Sequence, residues 1–412
     1  MTGFLARFRS FGRPSQVLML NQFGINLGFY SLMPYLAAYL SGQLALAAWL
    51  VGLLLGARNF AQQGLFLVGG TLADRFGAKP LIVAGCVLRT AGFALLALVE
   101  SPVTLLIASV AIGFAGALFN PAVRAYLAAD AGERRVEAFA VFNVFYQAGI
   151  LAGPVAGLAL TAVDFRLTCL VAAVVFAVLA VFQWRALPAG EVREAPVRAL
   201  ASWRRIAGNR TFVRFSLVMV GSYVLSFQMY LALPMEAVRV AGPGTAGTAL
   251  TTVLFAVSGG LAIVLQLKVV GWCRDRWSPG GCLSLGMVVM AVAFVLPLTT
   301  ARAGAWVAAV ALVVSAALLA LGTAVVFPFE MDAIVRLSGD SLVATHYGFY
   351  STVVGVGILL GNLGTGAVFD VAREAGWPEA PWFGLVVIGA LGALALRRLD
   401  LRRVSPAAAG SS

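Results

Sequence analysis

Charged residues are scarce in this sequence, and their scarcity excludes most classes of soluble protein. Only 11% of the 412 residues are charged, 61% are hydrophobic, and the mean hydropathy is +0.94. Soluble domains are usually about half apolar and about a quarter charged. Uncharged runs of about twenty residues recur along the chain, and each is long enough to cross a bilayer as a helix. The sequence therefore predicts an all-α, polytopic membrane protein.

Residues that bind metals or form disulfides are also few. The four cysteines, Cys86, Cys169, Cys273 and Cys282, form no CxxC pair, and His346 is the only histidine. This pattern predicts neither a metal site nor a disulfide framework. The sequence has no GxxxxGK[ST] motif, which argues against ATP hydrolysis by this chain. No nucleophile–base pair stands out either, so we expect a protein that is not an enzyme and has no cofactor.

Basic residues outnumber acidic ones, with a formal net charge of +12. Arg58 and Arg89 lie inside predicted helices, and most of the others lie at the termini or in alternate loops. Four arginines fall in the remaining loops: Arg166, Arg239, Arg302 and Arg373. This positive-inside bias predicts a bacterial inner (plasma) membrane protein with both termini in the cytoplasm. The basic residues therefore indicate a lipid bilayer as partner, and no nucleic acid.

Twelve hydrophobic segments are predicted to be transmembrane helices: 16–40, 47–72, 80–98, 103–126, 138–162, 167–186, 212–238, 248–270, 281–299, 304–329, 343–368 and 381–398. The first segment follows three arginines, is too long for a signal-peptide core and lacks a clean cleavage site. We therefore interpret it as a retained first helix.

Short sequences of the first half recur in the second half, in the same order. The recurring pairs are YSLMP (30–34) with YLALP (230–234), GTLADRF (70–76) with GWCRDRW (271–277), NPA with FPF at Pro121 and Pro328, and GILAGP (149–154) with GILLGN (357–362). Such a duplication predicts two pseudo-symmetric six-helix bundles. Parallel halves of this kind form a known transporter architecture with the substrate site between them.

The duplication sets the expected domain boundaries. The N-terminal bundle is predicted at 1–186 and the C-terminal bundle at 212–399. A cytoplasmic linker, 187–211, joins them, and a cytoplasmic tail covers 400–412. Within the linker, the basic stretch 197–207 is predicted to be a helix lying on the inner leaflet.

The loop between the second and third segments concentrates charge. Two glycines there let two helix ends approach in a short turn, and Asp74 can accept hydrogen bonds from a helix N-terminus. We interpret the loop as a cytoplasmic latch whose basic residues hold neighbouring helix ends; the alternative is a simple topological anchor. The residues assigned to this gate are Gly70, Asp74, Arg75, Gly77 and Lys79, with Asp275 and Arg276 from the second copy.

These motifs resemble those of a known family. Residues 70–79 match the loop signature G-x-L-x-D-R-x-G-x-[KR] of the major facilitator superfamily. In the fifth segment, Gly149, Gly153, Pro154 and Gly157 resemble G-x3-G-P-x2-G, the antiporter motif of its twelve-helix drug:proton antiporter family. The likeness is strongest to the MdtH branch of multidrug efflux proteins.

The resemblance implies a secondary active transporter that works by alternating access. It would export small amphipathic compounds in exchange for protons, with the proton as coupling ion and a monomer as the functional form. The alternatives are a proton-coupled importer and an uncoupled facilitator of one physiological metabolite. The antiporter motif favours export.

The sequence departs from the family pattern where protons are usually carried. Ser109 stands where the family often has an arginine, and the first-half segments contain no Asp or Glu. The proton-coupling candidates are therefore Glu236, Glu330, Asp332 and His346. Glu236 ranks first because it follows the repeated Tyr-x3-Pro element, where its symmetry mate is the neutral Leu36.

A second set of candidates consists of aromatic and polar residues on helices that line the cavity in this family. They are Tyr30, Asn26, Arg58, Tyr230 and Gln228. The alternative role for them is packing between helices. Arg89 is predicted to be structural, and Pro34 and Pro234 to kink their helices.

Overall fold

The computed structural model describes residues 2–32, 36, 48–98, 101–161, 164–188, 199–242 and 245–399. Within these ranges every regular element is a helix and no strand is present, which confirms the all-α prediction. The predictions for Pro34, for residues 189–198 of the linker and for the tail (400–412) lie outside the described residues.

The helices of the first half are α1 (Thr2–Arg9), α2 (Arg13–Tyr30), α3 (Ala48–Gly64), α4 (Phe66–Phe76), α5 (Ala78–Leu98), α6 (Pro102–Ala131), α7 (Arg135–Thr161) and α8 (Phe165–Ala186). Those that follow are α9 (Ala199–Gly208), α10 (Arg210–Phe227), α11 (Ala232–Ala241), α12 (Thr245–Arg274), α13 (Pro279–Thr300), α14 (Ala305–Ser338), α15 (Val343–Glu374) and α16 (Ala380–Arg398). Among the described residues, nine helical segments are long and apolar enough to cross a membrane.

Two predicted segments are interrupted rather than continuous. Segment 47–72 is divided at Leu65 into α3 and α4, and segment 212–238 is divided between α10 and α11. The second break precedes Pro234, the third residue of α11. Proline lacks an N–H group and its ring collides with the preceding turn, so a helix cannot run through it undisturbed.

The described chain groups into two compact units. The first comprises Met1–Gly208 with Asp340–Thr352, and the second Asn209–Gly339 with Val353–Ser412. The first three turns of α15 thus belong to the first unit by their contacts, although the chain reaches them after most of the second unit.

In the first unit, α5 packs against α6 and α8, and α2 packs against α7 and α8. Phe93 and Phe176 stack where α5 meets α8, with ring centroids 5.3 Å apart. The basic helix α9 also belongs to this unit, because Trp203 Nε1 donates a hydrogen bond of 2.8 Å to Thr71 Oγ1 of α4. Ile206 is buried beside it.

In the second unit, α13 packs against α14 and α16. Glycines permit the closest of these crossings. A Cβ on Gly286 would lie 2.5 Å from a methyl of Val326, and one on Gly322 would lie 2.4 Å from Met290. Small residues let membrane helices approach closely, so packing rather than apolar burial holds them together.

Candidate functional site

Asp74 caps the N-terminus of α15. Its Oδ1 accepts a hydrogen bond of 3.1 Å from the backbone N–H of Ala344, and its Oδ2 accepts one of 2.7 Å from that of Thr345. The Thr345 hydroxyl adds a third, 2.6 Å long. The first N–H groups of a helix have no partner within it. Leu342, which precedes the helix, has no side-chain acceptor, so Asp74 supplies the cap from α4.

The two glycines of the same loop have different roles. Gly77 ends α4 with a φ of +85°, a conformation that favours glycine. Gly70 instead permits a helix crossing, because a Cβ there would lie 2.1 Å from the carbonyl oxygen of Ala344. Gly348 of α15 permits the same crossing from the other side, because a Cβ there would lie 2.4 Å from the carbonyl oxygen of Phe66 on α4. The expectation that Gly70 serves the turn was wrong, because its neighbour lies on α15.

The basic residues of the loop make cation–π contacts. Lys79 Nζ lies 5.3 Å from the ring centroid of Trp184, at the end of α8. The Arg75 guanidinium lies 5.2 Å from the ring of Phe76, its neighbour in sequence. Lys79 therefore links two helix ends, whereas Arg75 is exposed and contacts its own helix.

The second copy of the loop is built differently. Asp275 and Arg276 follow the end of α12 rather than lying within a helix. Asp275 Oδ1 is 3.6 Å from Arg274 Nε, and the Arg276 guanidinium lies 4.9 Å from the ring of Trp272. Within the described ranges, Asp275 caps no helix, which makes it a natural control for Asp74.

The glycines of the antiporter motif form a seam between α7 and the helix that carries Asn26 and Tyr30. A Cβ on Gly153 would lie 2.6 Å from Tyr30 Cβ. One on Gly157 would lie 1.9 Å from the Ser31 oxygen, and one on Gly149 would lie 2.7 Å from Asn26 Cβ. No side chain fits at these positions, so the motif fixes how closely α2 and α7 approach.

The repeated sequence in the second unit makes a similar but looser seam. A Cβ on Gly357 would lie 2.3 Å from a methyl of Val220, and one on Gly361 would lie 2.6 Å from a methyl of Val224. These neighbours are side chains, whereas Gly157 meets backbone. The glycine face is thus present in both units and is tightest in the first.

Hydrogen bonds join the polar residues of the first seam. Asn26 Nδ2 donates a bond of 2.8 Å to the Tyr146 carbonyl of α7, and Gln22 Nε2 donates one of 3.1 Å to Asn26 Oδ1. The side chains of Tyr30 and Tyr146 are hydrogen-bonded as well. The structure therefore brings the candidates Asn26 and Tyr30 together at the antiporter motif.

Two arginines share one aromatic ring in the first unit. The Arg58 guanidinium lies 5.1 Å from the centroid of Phe29, and that of Arg89 lies 5.8 Å from the same centroid. Arg89 is only 5% exposed and also contacts Phe119 at 5.7 Å and Phe176 at 5.3 Å. Each cation–π contact stabilises by about 0.5–2 kcal/mol.

The aromatic rings do not satisfy all of the donors of Arg89. Among the described residues, its Nε and Nη1 have no hydrogen-bond partner. A buried donor without a partner costs about 1–3 kcal/mol, and more when the group is charged. The structural role predicted for Arg89 therefore does not explain why its Nε and Nη1 are buried without hydrogen-bond partners.

The cavity candidates of the second unit lie at the break between α10 and α11. Gln228 is fully buried, and its Nε2 donates a bond of 2.8 Å to the Val224 carbonyl. Tyr230 is 56% exposed and packs at 5.7 Å against Phe227 and 5.5 Å against Phe255, measured between ring centroids. The Gln228 side chain thus bonds to a backbone carbonyl beside the break. Tyr230 is the more accessible of the two candidates.

Two of the candidate acids are engaged by arginines on their own helices. Arg239 donates from Nε and Nη2 to both oxygens of Glu236, at 2.8 and 2.5 Å. Arg336 Nε donates a bond of 2.6 Å to Asp332 Oδ2. A proton that binds either carboxylate must first compete with a charge-assisted hydrogen bond.

Glu330 and His346 each form a hydrogen bond with a neutral group. Glu330, on α14, is 2% exposed and accepts a bond of 2.8 Å from the Tyr223 hydroxyl of α10. His346, on α15, is buried with its Nδ1 2.8 Å from the carbonyl oxygen of Leu342. Glu330 therefore joins two helices of the second unit through a carboxylate.

The comparisons with known proteins agree with the motifs. Residues 18–311 match the profile of the Major Facilitator Superfamily. The chain belongs to the Major Facilitator Superfamily. An uncharacterized MFS-type transporter of Mycobacterium tuberculosis H37Rv is 56% identical over 405 residues, covering 97% of this chain and 96% of the relative. The multidrug resistance protein MdtH of Salmonella arizonae is 30% identical over 380 residues, 92% of each chain.

Solved structures show the same fold. The E. coli fucose:proton symporter FucP aligns with a TM-score of 0.72 at 16% identity, covering 94% of this chain and 98% of that chain. A peptide transporter, POT, aligns with a TM-score of 0.65 at 18% identity, covering 93% and 94%. As a member of the superfamily, this chain is a multi-pass membrane transporter and not an enzyme.

Outside the spanning helices of this transporter, one exposed ion pair is well defined. Arg302 Nε donates a bond of 2.5 Å to Glu379 Oε1. The guanidinium holds the pKa of the Glu379 carboxyl below its usual value, and that carboxylate raises the pKa of Arg302. Because Arg302 is exposed and Glu379 is only partly buried, solvent screens the pair and its contribution to stability is small.

Several hydrogen-bond partners in this transporter were not predicted from the sequence. Sequence reasoning identified Asp74 but not Ala344 and Thr345, which lie 270 and 271 positions away. It missed Tyr223 as the partner of Glu330, because an interior tyrosine has no distinguishing pattern. For Arg89 a signal existed, since an arginine in a membrane segment without acids requires an explanation.

Proposed function

We propose that this transporter exports small amphipathic compounds from the cytoplasm in exchange for protons, by alternating access in the inner membrane. The observation that carries the proposal is the glycine seam at Gly149, Gly153 and Gly157, which packs directly against Asn26 and Tyr30. The identity of 30% with MdtH over 92% of each chain supports it. Both termini lie in the cytoplasm in this proposal, and the functional unit is a monomer.

A whole-cell assay tests the direction of transport. Expression should lower the steady-state accumulation of a fluorescent amphipathic dye, and a protonophore should restore it. Raised accumulation would instead favour the importer alternative. Lowered accumulation that a protonophore leaves unchanged would contradict proton coupling.

Glu330 is the proton carrier in this proposal, ahead of Glu236, Asp332 and His346. Coupling requires a group that changes its protonation during the cycle, and a buried carboxylate is well suited to this because burial disfavours its charged form. Glu236 and Asp332 are held by arginines, and Glu330 is buried and accepts a hydrogen bond from the Tyr223 hydroxyl. The Tyr223 hydroxyl can bond to either protonation state of Glu330, so it can keep the side chain in place throughout.

Neutralising Glu330 should uncouple transport from the proton gradient. We expect Glu330→Gln to abolish substrate accumulation driven by a pH gradient while it keeps downhill substrate exchange. One pH unit supplies about 1.4 kcal/mol per proton, enough for about a tenfold gradient of neutral substrate. The measurement is accumulation in inverted vesicles with an imposed pH gradient.

Glu379→Gln is the matched control, because it removes a partly accessible carboxylate outside the spanning helices. Glu236→Gln and Asp332→Asn should retain most of the driven accumulation. Full accumulation by Glu330→Gln would overturn the assignment to Glu330.

A further inference from the structure

We propose that Arg58, Arg89 and Phe29 form a binding site for the carboxylate group of an aromatic or amphipathic organic anion. The proposal deepens the export function proposed above, on which its physiological meaning rests, by naming a substrate class. It places the anionic part of the substrate in the first unit, beside the antiporter motif.

The charge balance of the first half motivates the proposal. The predicted first-half membrane segments contain no Asp or Glu, and Arg58 and Arg89 are the arginines that lie well inside their segments, whereas Arg124 and Arg185 lie within two residues of a segment end. Intramembrane charges usually pair with each other or face a substrate pathway. Arg58 and Arg89 are like charges that both contact Phe29, at 5.1 and 5.8 Å. An anion bound at this ring would neutralise both.

Arg89 is held in place and still has donors to offer. Rings from three helices surround it, because Phe29, Phe119 and Phe176 lie on α2, α6 and α8. Aromatic rings interact with the face of a guanidinium, whereas its N–H groups point outward in the plane. In the described part of the chain, Nε and Nη1 of this buried side chain have no hydrogen-bond partner. A carboxylate oxygen supplies what these donors lack.

Arg58 provides the more accessible side of the site. It is less buried than Arg89, and its Nη2 donates a bond of 2.5 Å to the side chain of Asn59. The ring of Tyr30 packs edge-on against Phe29, with centroids 5.2 Å apart. The aromatic surface of Phe29 and Tyr30 therefore adjoins the two positive charges, which suits a ligand with an apolar ring and a carboxylate.

A binding assay on the purified full-length protein in nanodiscs of zwitterionic lipid tests the site. The probes are naphthoate, the neutral naphthalenemethanol and the cationic naphthylmethylammonium, measured by equilibrium dialysis. Naphthoate should bind about tenfold or more tightly than either analogue, because losing one partner of a buried charge pair costs at least that much. Arg58→Gln and Arg89→Gln should each weaken naphthoate binding about tenfold or more. Arg214→Gln, which removes an exposed arginine of the second unit, should leave it unchanged.

Gel filtration shows which variants fold. If Arg89→Gln is not monodisperse, Arg89→Lys replaces it in the assay. Arg89→Lys should bind naphthoate more weakly than the parent protein does, but more tightly than it binds naphthalenemethanol. Naphthoate binding no tighter than that of the alcohol, or unaffected by Arg58→Gln, overturns the proposal. The dye-export assay separates the two hypotheses: export with no anion preference refutes this site alone, and anion binding without export refutes the proposed function alone.

Discussion

Asp74→Asn should reduce the transport rate at least about tenfold while the protein is still inserted and folded. The carboxylate accepts three hydrogen bonds at the start of α15, from two backbone N–H groups and one hydroxyl. An asparagine keeps one acceptor oxygen and turns an NH₂ donor toward an N–H group. A hydrogen bond to a charged group contributes about 1.5–3 kcal/mol, and about 1.4 kcal/mol changes an equilibrium constant tenfold. The measurement is initial-rate efflux in inverted vesicles, normalised to protein amount.

The second copy of the loop provides the control. Asp275→Asn makes the same chemical change at an exposed aspartate that pairs with Arg274 at 3.6 Å. It should transport at nearly the parental rate. Equal rates for Asp74→Asn and Asp275→Asn would refute the role of the α15 cap in transport.

Gly153→Leu should lower export about tenfold or more, because no side chain fits at that position. The Cβ alone would lie 2.6 Å from Tyr30 Cβ and 2.9 Å from the Tyr30 carbonyl carbon. The substitution must therefore move α2 away from α7 and displace Tyr30. Gly153→Ala should show an intermediate loss, since the clash begins at Cβ. Export is measured against expression level, so that lost protein is not mistaken for lost activity.

Gly364→Leu controls for the effect of a leucine at a helical glycine. Apart from its sequence neighbours and the nearby backbone of its own helix, no heavy atom lies within 4 Å of a Cβ placed on Gly364. Its export should match that of the parent chain. If Gly153→Leu exported as well as Gly364→Leu, the antiporter motif would have no function here beyond its resemblance.

Hydropathy and charge predicted the helices well, because a bilayer requires long apolar helices whatever their packing partners. The segment 80–98 corresponds to α5, Ala78–Leu98, within two residues. The break at Leu65 was not predicted, because the residues around it include neither a charge nor a proline. The break before Pro234 was anticipated only as a kink.

The candidate site was predicted less completely, because its contacts join residues that are distant in sequence. The motif at residues 70–79 identified Asp74 as a helix cap without identifying the helix. Arg58 and Arg89 were considered separately, since nothing in the sequence shows that Phe29 contacts both. Three helices meet at that ring, and such a meeting depends on tertiary packing.

The inclusion of residues 340–352 in the first unit has a consequence for biosynthesis. Asp74 and Ala344 are 270 positions apart. At about 5–20 residues per second, roughly 15–55 seconds separate their synthesis. During that interval the N–H groups that Asp74 later caps have not yet been synthesised. The first unit is therefore completed only when most of the second has been made, and a truncated chain that ends before α15 leaves both units unfinished.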